Sequence, residues 1–305
     1  MKALWMFPGQ GTQKAGMLTN VEAEYLNKVK MITNIDLKDN IEGYHSTVQI
    51  QLSILILQIY QIDKLNSLGW TPSIVAGNSL GTFSAAYAAG IITMEDVIEL
   101  VSIRAKMMEK LYPSGYGMGV VIGLEREDLG AVINSLQAKN EIVFLASQNA
   151  EMQNTISGER KAITKVLAIA RKMGATKVQL LDVPTPSHSP LMKKISDKVE
   201  ELVGKMKLNS PSCLYFANYS GHSETSLNKI RYDLSHNLEY PVLWNSMMDI
   251  GLEYRPDVSV EFSPGDILTG ILEKKVKLIQ NVKLNYLSVE DADYILSKLK
   301  RGFKK

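Results

Sequence analysis

Residues 75–81, VAGNSLG, constrain the fold more than any other stretch of this chain. An apolar run ends on Gly77, a lone serine follows at Ser79, and Gly81 opens an alanine-rich segment. This is the pattern of a nucleophile elbow, a sharp strand-to-helix turn that exposes a serine hydroxyl above a helix N-terminus. Small residues two positions before and two after the serine are needed because a side chain there would strike the neighbouring backbone. The pattern asks for a strand over 74–77, a helix over 80–89 and a sheet to carry them.

The surrounding chain has the matching rhythm. Residues 4–7 predict a short buried strand that runs into PGQGTQ, a glycine-rich loop able to bring backbone amides close to a ligand. Residues 47–68 are apolar on nearly all sides, as in a helix packed deep in a core, and 94–111 read as another helix. Strands alternating with helices predict an α/β fold with a parallel sheet.

The middle of the chain changes character. Strands are expected at 119–124, 142–147, 154–157 and 177–183, and helices at 126–136 and 161–173, in the order β-α-β-β-α-β. That is the split pattern of a ferredoxin-like unit, bounded by YPSGYG before and PTPSHSP after. Residues 116–184 are therefore expected to form a small subdomain inserted into a larger α/β domain made of 1–115 and 185–305. A cleft between two such units suits a substrate. After the insertion come an expected helix at 191–206, a strand at 214–217, a helical pair over 230–252 broken at Pro241, a strand at 258–262 and a helix after the Pro-Gly turn.

Composition narrows the partners. A formal charge of +2 gives no reason to expect nucleic acid, and the basic run KLKRGFKK at the C-terminus reads as a solvated tail. Cys213 is the only cysteine, so no intramolecular disulfide can form, and His45, His188, His222 and His236 lack zinc-ligand spacing. No segment approaches the about 18 uninterrupted apolar residues of a membrane span, and no signal-peptide pattern opens the chain. A cytoplasmic protein with no metal and no membrane partner is expected.

A serine nucleophile needs a base. His188, in the turn-rich PTPSHSP hinge, is the best placed, either facing the cleft or facing water; His222 and His236 are weaker candidates. Asp182 lies too close in sequence to be expected to turn back onto the ring, and a backbone carbonyl can hold the imidazole instead. Two amides could meet a developing oxyanion, that of Leu80 directly after the serine and that of Gln10 in the PGQG loop, unless the loop is an ordinary tight turn. Arg104 falls on the mostly apolar side of its helix. It is either a snorkelling or salt-bridged arginine, or a planar fork that binds a substrate carboxylate.

Six ordered motifs carry a resemblance over nearly the whole length: FPGQGTQ, GNSLG, LVSIRAKMM, SQNAEMQNTISG, PSHSPLM and EFSPGDILTGIL. With these the chain resembles malonyl-coenzyme A:acyl-carrier-protein transacylases. The resemblance implies an α/β-hydrolase-like domain with a ferredoxin-like insertion, Ser79 as acyl acceptor, His188 as base, and the amides of Gln10 and Leu80 as oxyanion hole. It further implies that Arg104 binds the malonyl carboxylate, that the main-chain carbonyl of Asn237 orients the histidine, and that Asn149 lies near the bound acyl-thioester. No tightly bound cofactor is implied; malonyl-CoA is the donor and the phosphopantetheine-type arm of a carrier protein the acceptor.

One departure stands beside the serine. The family's usual elbow is GHSLG, and Asn78 replaces a histidine that lines the acyl pocket. Together with YPSGYGMGVVIGL and PTPSHSPLM, this makes the chain look closest to the epsilon-subunit type of malonate decarboxylase, whose carrier would be that enzyme's delta subunit. Three alternatives remain open: the same transfer serving fatty-acid or polyketide synthesis, hydrolysis of an acyl-thioester by the same Ser/His pair, and carrier docking without catalysis.

Overall fold

The structure is a computed structural model that describes residues 1–112, 114–181, 183–277 and 279–302. The chain begins with β1 (Ala3–Phe7), α1 (Ala23–Thr33), α2 (Thr47–Ser67), β2 (Ile74–Gly77), α3 (Gly81–Ala88) and α4 (Met94–Leu111). It continues through β3 (Tyr116–Ile122), α5 (Arg126–Gln137), β4 (Val143–Ala150), β5 (Gln153–Glu159), α6 (Arg160–Lys172) and β6 (Lys177–Leu181). The last part comprises α7 (Lys193–Lys205), β7 (Leu214–Phe216), β8 (Ser223–Glu224), α8 (Leu227–His236), α9 (Trp244–Glu253), β9 (Val258–Glu261), α10 (Ile267–Lys275), β10 (Gln280–Lys283) and α11 (Val289–Gly302).

Two sheets result. The six-stranded sheet has the order β10-β9-β1-β2-β7-β8 and is parallel except for the short edge strand β8. Its central strands β1, β2 and β7 are apolar in unbroken runs because both faces are covered. Trp5, Phe7, Val75 and Tyr215 point into one core with α2, α3 and α4, while Leu4, Met6, Ile74 and Phe216 point into the other with α9 and α10. The chain thus belongs to the α/β class. The four-stranded sheet, β4-β5-β3-β6, is antiparallel and packs α5 and α6 around a separate apolar cluster centred on Val121, Ile156 and Val166.

The four-stranded sheet is tied to the larger domain through the segment between α8 and α9. The Gln148 N–H donates to the Val242 carbonyl at 2.9 Å, and the Val242 N–H donates to the Ala146 carbonyl at 3.0 Å. This bridge holds the end of β4 over the C-terminal ends of β1 and β2, where parallel α/β sheets place their ligands.

Several elements differ from their sequence expectation. Strand β3 starts at Tyr116 rather than 119, because Gly117 and Gly119 hide its pattern; a Cβ on Gly119 would lie 3.0 Å from the Ile163 side chain, so the strand is glycine-bearing where α6 crosses it. Strand β4 runs on to Ala150, with register shifts at Ala146 and Asn149. The expected helix at 191–206 opens with a 3₁₀ turn over Pro190–Met192. Elements α1, β8, β10 and α11 have no counterpart among the expected elements. The basic run is not simply a solvated tail: residues 298–302 close α11, and the Lys300 ammonium lies 5.1 Å above the Trp70 ring; residues 303–305 lie outside the described residues. Among the described residues no helix is long and apolar enough to cross a membrane.

Candidate functional site

The serine turn is made by close approach of two main-chain segments. A Cβ on Gly77 would sit 2.1 Å from the Gly81 carbonyl carbon, and one on Gly81 would sit 1.9 Å from the Phe7 carbonyl oxygen. Only hydrogen fits at either place. Ser79 itself has φ 54°, a left-handed conformation costly for serine and held by its surroundings. The turn is closed by the Gly81 N–H donating to the Asn78 carbonyl at 2.9 Å, and it is joined to β1 by the Asn78 N–H donating to the Phe7 carbonyl at 2.9 Å.

His188 reaches this serine from the loop that follows β6. Its Nε2 lies 2.8 Å from the Ser79 Oγ, and its Nδ1 lies 2.8 Å from the Asn237 carbonyl and 3.2 Å from the Tyr240 carbonyl. Two carbonyls can only accept, so Nδ1 carries the proton and Nε2 is left as an acceptor for the serine hydroxyl. The ring is buried rather than water-facing, with the backbone at φ 61°. Burial, and secondarily the Arg104 charge, pulls the imidazole down to about 4, so it is neutral at pH 7. No carboxylate is needed to orient it. Asp182 lies outside the described residues; His222 is exposed, and His236 is stacked on Tyr232 at 4.2 Å.

The PGQG loop lies against the serine turn. A Cβ on Gly9 would come within 2.8 Å of the Asn78 carbonyl oxygen and 3.5 Å of the Leu80 nitrogen, so the loop backbone runs beside the Leu80 amide just before Gln10. Among the described residues, neither the Gln10 N–H nor the Leu80 N–H donates to a protein acceptor. The Ser79 N–H, by contrast, is occupied by the Asn218 side chain at 2.9 Å.

Arg104 is the least ordinary residue of the site. It is 2% exposed, and its Nη1 donates to the Gln51 side-chain oxygen at 2.6 Å while Nη2 donates to the Asn237 side-chain oxygen at 3.3 Å. The guanidinium also lies 5.4 Å from the Phe83 ring, and its Nε has no partner. These acceptors are neutral, and among the described residues no carboxylate forms an ion pair with Arg104. Burial lowers the guanidinium to about 9, which leaves it charged at neutral pH. A buried cation without a counter-ion is costly unless an anion arrives to share its site.

Ser79, His188, Arg104, Gln10, Asn78 and Asn149 all line one cavity of about 170 Å³ between the two sheets. Asn149 gets there because it is the unpaired residue of a β-bulge in β4. Leu80 caps α3 directly beneath, and Asn237 contributes through its carbonyl and side-chain oxygens. The cavity is smaller than the about 300 Å³ at the low end for drug-sized ligands, and so suits a short acyl group. Among the described residues no cluster of side chains could hold a metal ion.

Sequence reasoning passed over four contributors: Gln51, Asn218, Asp233 and the Tyr240 carbonyl. Gln51 was the most readable, since a glutamine seven residues before Gln58 on one face of an apolar helix needs a reason. The reason is the loop: Gln51 donates to the Gln10 side-chain oxygen at 3.0 Å, and Gln58 to the Pro8 carbonyl at 3.0 Å.

Comparison with known proteins follows the same lines. Residues 4–290 match the model of the acyl transferase domain. The chain belongs to this family. It is 30% identical over 300 residues to the malonyl CoA-acyl carrier protein transacylase of Haemophilus influenzae, an alignment covering 93% of this chain and 95% of that one. An acyl carrier protein S-malonyltransferase from Vibrio cholerae superposes with a TM-score of 0.89 at 28% identity, covering 96% of this chain and 99% of that one. A malonyl-transacylase in complex with a type II PKS acyl-carrier protein superposes with a TM-score of 0.90 at 27% identity, covering 99% of this acyltransferase and all of that chain (100%).

Proposed function

We propose that this acyltransferase moves a malonyl group from malonyl-CoA to the thiol of an acyl carrier protein through an ester on Ser79. The observation that carries the reading is Arg104, a buried cation with no carboxylate partner among the described residues, lining the same cavity as the Ser79–His188 pair. It gives a free carboxylate a reason to enter.

In the first half-reaction His188 Nε2 takes the Ser79 proton as the hydroxyl oxygen attacks the thioester carbonyl, and the oxyanion is met by the N–H groups of Gln10 and Leu80. The imidazolium formed is stabilised by its bonds to the Asn237 and Tyr240 carbonyls. Collapse returns the proton to the departing coenzyme A thiolate. In the second half-reaction the carrier's thiol gives its proton to His188 and attacks the serine ester, and Ser79 recovers the proton. Arg104 holds the malonyl carboxylate throughout by a two-pronged bond. Asn149 and Asn78 contact the acyl-thioester, and the scheme uses no tightly bound cofactor.

In this reading residues 116–184 form a ferredoxin-like insertion that roofs the cavity, and 1–115 with 185–305 form an α/β-hydrolase-like body. The names of the relatives favour transacylation in fatty-acid or polyketide synthesis over the malonate decarboxylase assignment, which rests on Asn78 with YPSGYGMGVVIGL and PTPSHSPLM. Incubation with malonyl-CoA and carrier proteins of each kind is the test. Transfer to a fatty-acid or polyketide carrier at a rate well above hydrolysis is expected; release of free malonate as the main product would replace transferase with hydrolase.

A further inference from the structure

Asp233 is fully buried on α8, and no step of the proposed reaction uses it. Its Oδ1 accepts the Asn218 N–H at 2.8 Å and the Tyr219 N–H at 3.3 Å; its Oδ2 accepts the Tyr215 hydroxyl at 2.6 Å and the Thr82 hydroxyl at 3.2 Å. Burial pushes the carboxyl up to about 6 even though all four bonds favour the anion. A carboxylate kept in the core with neutral donors alone is an expense for the fold, which needs a reason.

The reason lies one bond away. The side chain of Asn218 accepts the Ser79 N–H at 2.9 Å and donates to the Gly77 carbonyl at 2.7 Å, so it grips the serine turn at the strained residue itself and at the end of the strand that leads into it. The same Asn218 oxygen accepts from the Asn237 side chain at 3.3 Å, and Asn237 in turn bonds His188 and Arg104. Asn218 holds the nucleophile directly and is linked through Asn237 to the base and the cation, and Asp233 fixes Asn218 by its main chain.

We propose that Asp233 is a positioning residue for acyl transfer: its carboxylate locks Asn218, and Asn218 holds Ser79 in the left-handed turn that aims its hydroxyl at His188. The proposal rests on Ser79 being the acyl acceptor. A shift of about 1 Å at a reacting group is enough to cost about a hundredfold in rate, so small relaxation of this turn is costly.

The test is a double-mutant cycle on the full chain, reading the single-turnover acylation rate constant and the half-saturating malonyl-CoA concentration. Asp233→Asn and Asn218→Ala should each lower the rate constant by about ten- to a hundredfold with little change in half-saturation. Asp233→Asn should add no further loss in the Asn218→Ala background, since it acts through that residue. Trp70→Phe, which removes a distant bond to Asp293, should lower stability and leave acylation unchanged. If Asp233→Asn does not fold, Tyr215→Phe and Thr82→Val remove donors to the same carboxylate and take its place. A folded Asp233→Asn protein acylated at the wild-type rate, or losses that multiply in the double variant, would overturn the proposal alone. Wild-type protein that forms no acyl-enzyme would overturn the function it rests on as well.

Discussion

The imidazole of His188 sits between an acceptor and a donor, 2.8 Å from the Asn237 carbonyl on one side and 2.8 Å from the Ser79 hydroxyl on the other, with no carboxylate in the chain of bonds. A base held in this way depends on its neutral state being favoured. Burial first, and the nearby Arg104 charge second, supply that preference by pulling the ring down to about 4.

The pH dependence of acylation follows from the sign of that shift. A base with lowered pKa stays neutral, and therefore competent, well below the ordinary histidine value of about 6.5. The acylation burst should be flat from neutrality to about pH 5 and fall only near pH 4. Removing the Arg104 charge by Arg104→Gln should move the acid limb upward only in part, leaving it below the ordinary histidine value because burial remains, when measured with acetyl-CoA as donor. A wild-type limb already at about 6.5 would contradict the burial-dominated account.

Arg104 should separate malonyl from acetyl donors. With its acceptors the neutral side chains of Gln51, Met108 and Asn237, loss of the guanidinium removes the partner of an incoming carboxylate and nothing an acetyl group needs. Breaking a buried charge pair costs about 2 kcal/mol or more, so Arg104→Gln should lose at least about thirtyfold in malonyl transfer while acetyl transfer gains relative to it. Equal losses with the two donors would remove Arg104 from the carboxylate site.

Two glycines should fail in different ways. Gly81→Ala would drive a methyl group to 1.9 Å from the Phe7 carbonyl oxygen, both parts of rigid backbone, and should destabilise the fold by about 3 kcal/mol in chemical denaturation. Gly9→Ala meets the Asn78 carbonyl at 2.8 Å, at the edge of a loop that can give way. It should keep its fold and lose about a hundredfold in acylation, as when one oxyanion donor is displaced. Wild-type acylation by Gly9→Ala would take the Gln10 amide out of the oxyanion site.

The parts of the site that the sequence reveals are those written locally. Residues 75–81 spell a strand, a turn and a helix start, and the structure builds them with backbone contacts of neighbouring residues. Arg104 drew notice because a charge interrupts an apolar helix face. The bond from His188 to Ser79 spans 109 positions, and composition or periodicity gave only a hinge histidine that could have faced water. Asn218 and Asp233 left weaker marks still. Asn218 stands in ANYSG, which reads as a turn, and Asp233 on an amphipathic helix reads as part of a wet face. Their burial arises only when α8 packs beneath the serine turn. The helix α11 was hidden for the converse reason: Val289, Ala292 and Leu296 form its buried side, but they are few and stand among polar and charged residues that obscure the period.

The central claim is a covalent one, and intact and peptide mass spectrometry of the protein quenched after brief exposure to malonyl-CoA tests it most directly. The account predicts a malonyl ester on Ser79 that disappears when a carrier protein with a free phosphopantetheine thiol is added, and that never forms on Ser79→Ala. Transfer that proceeds with no adduct, or undiminished in Ser79→Ala, would contradict it.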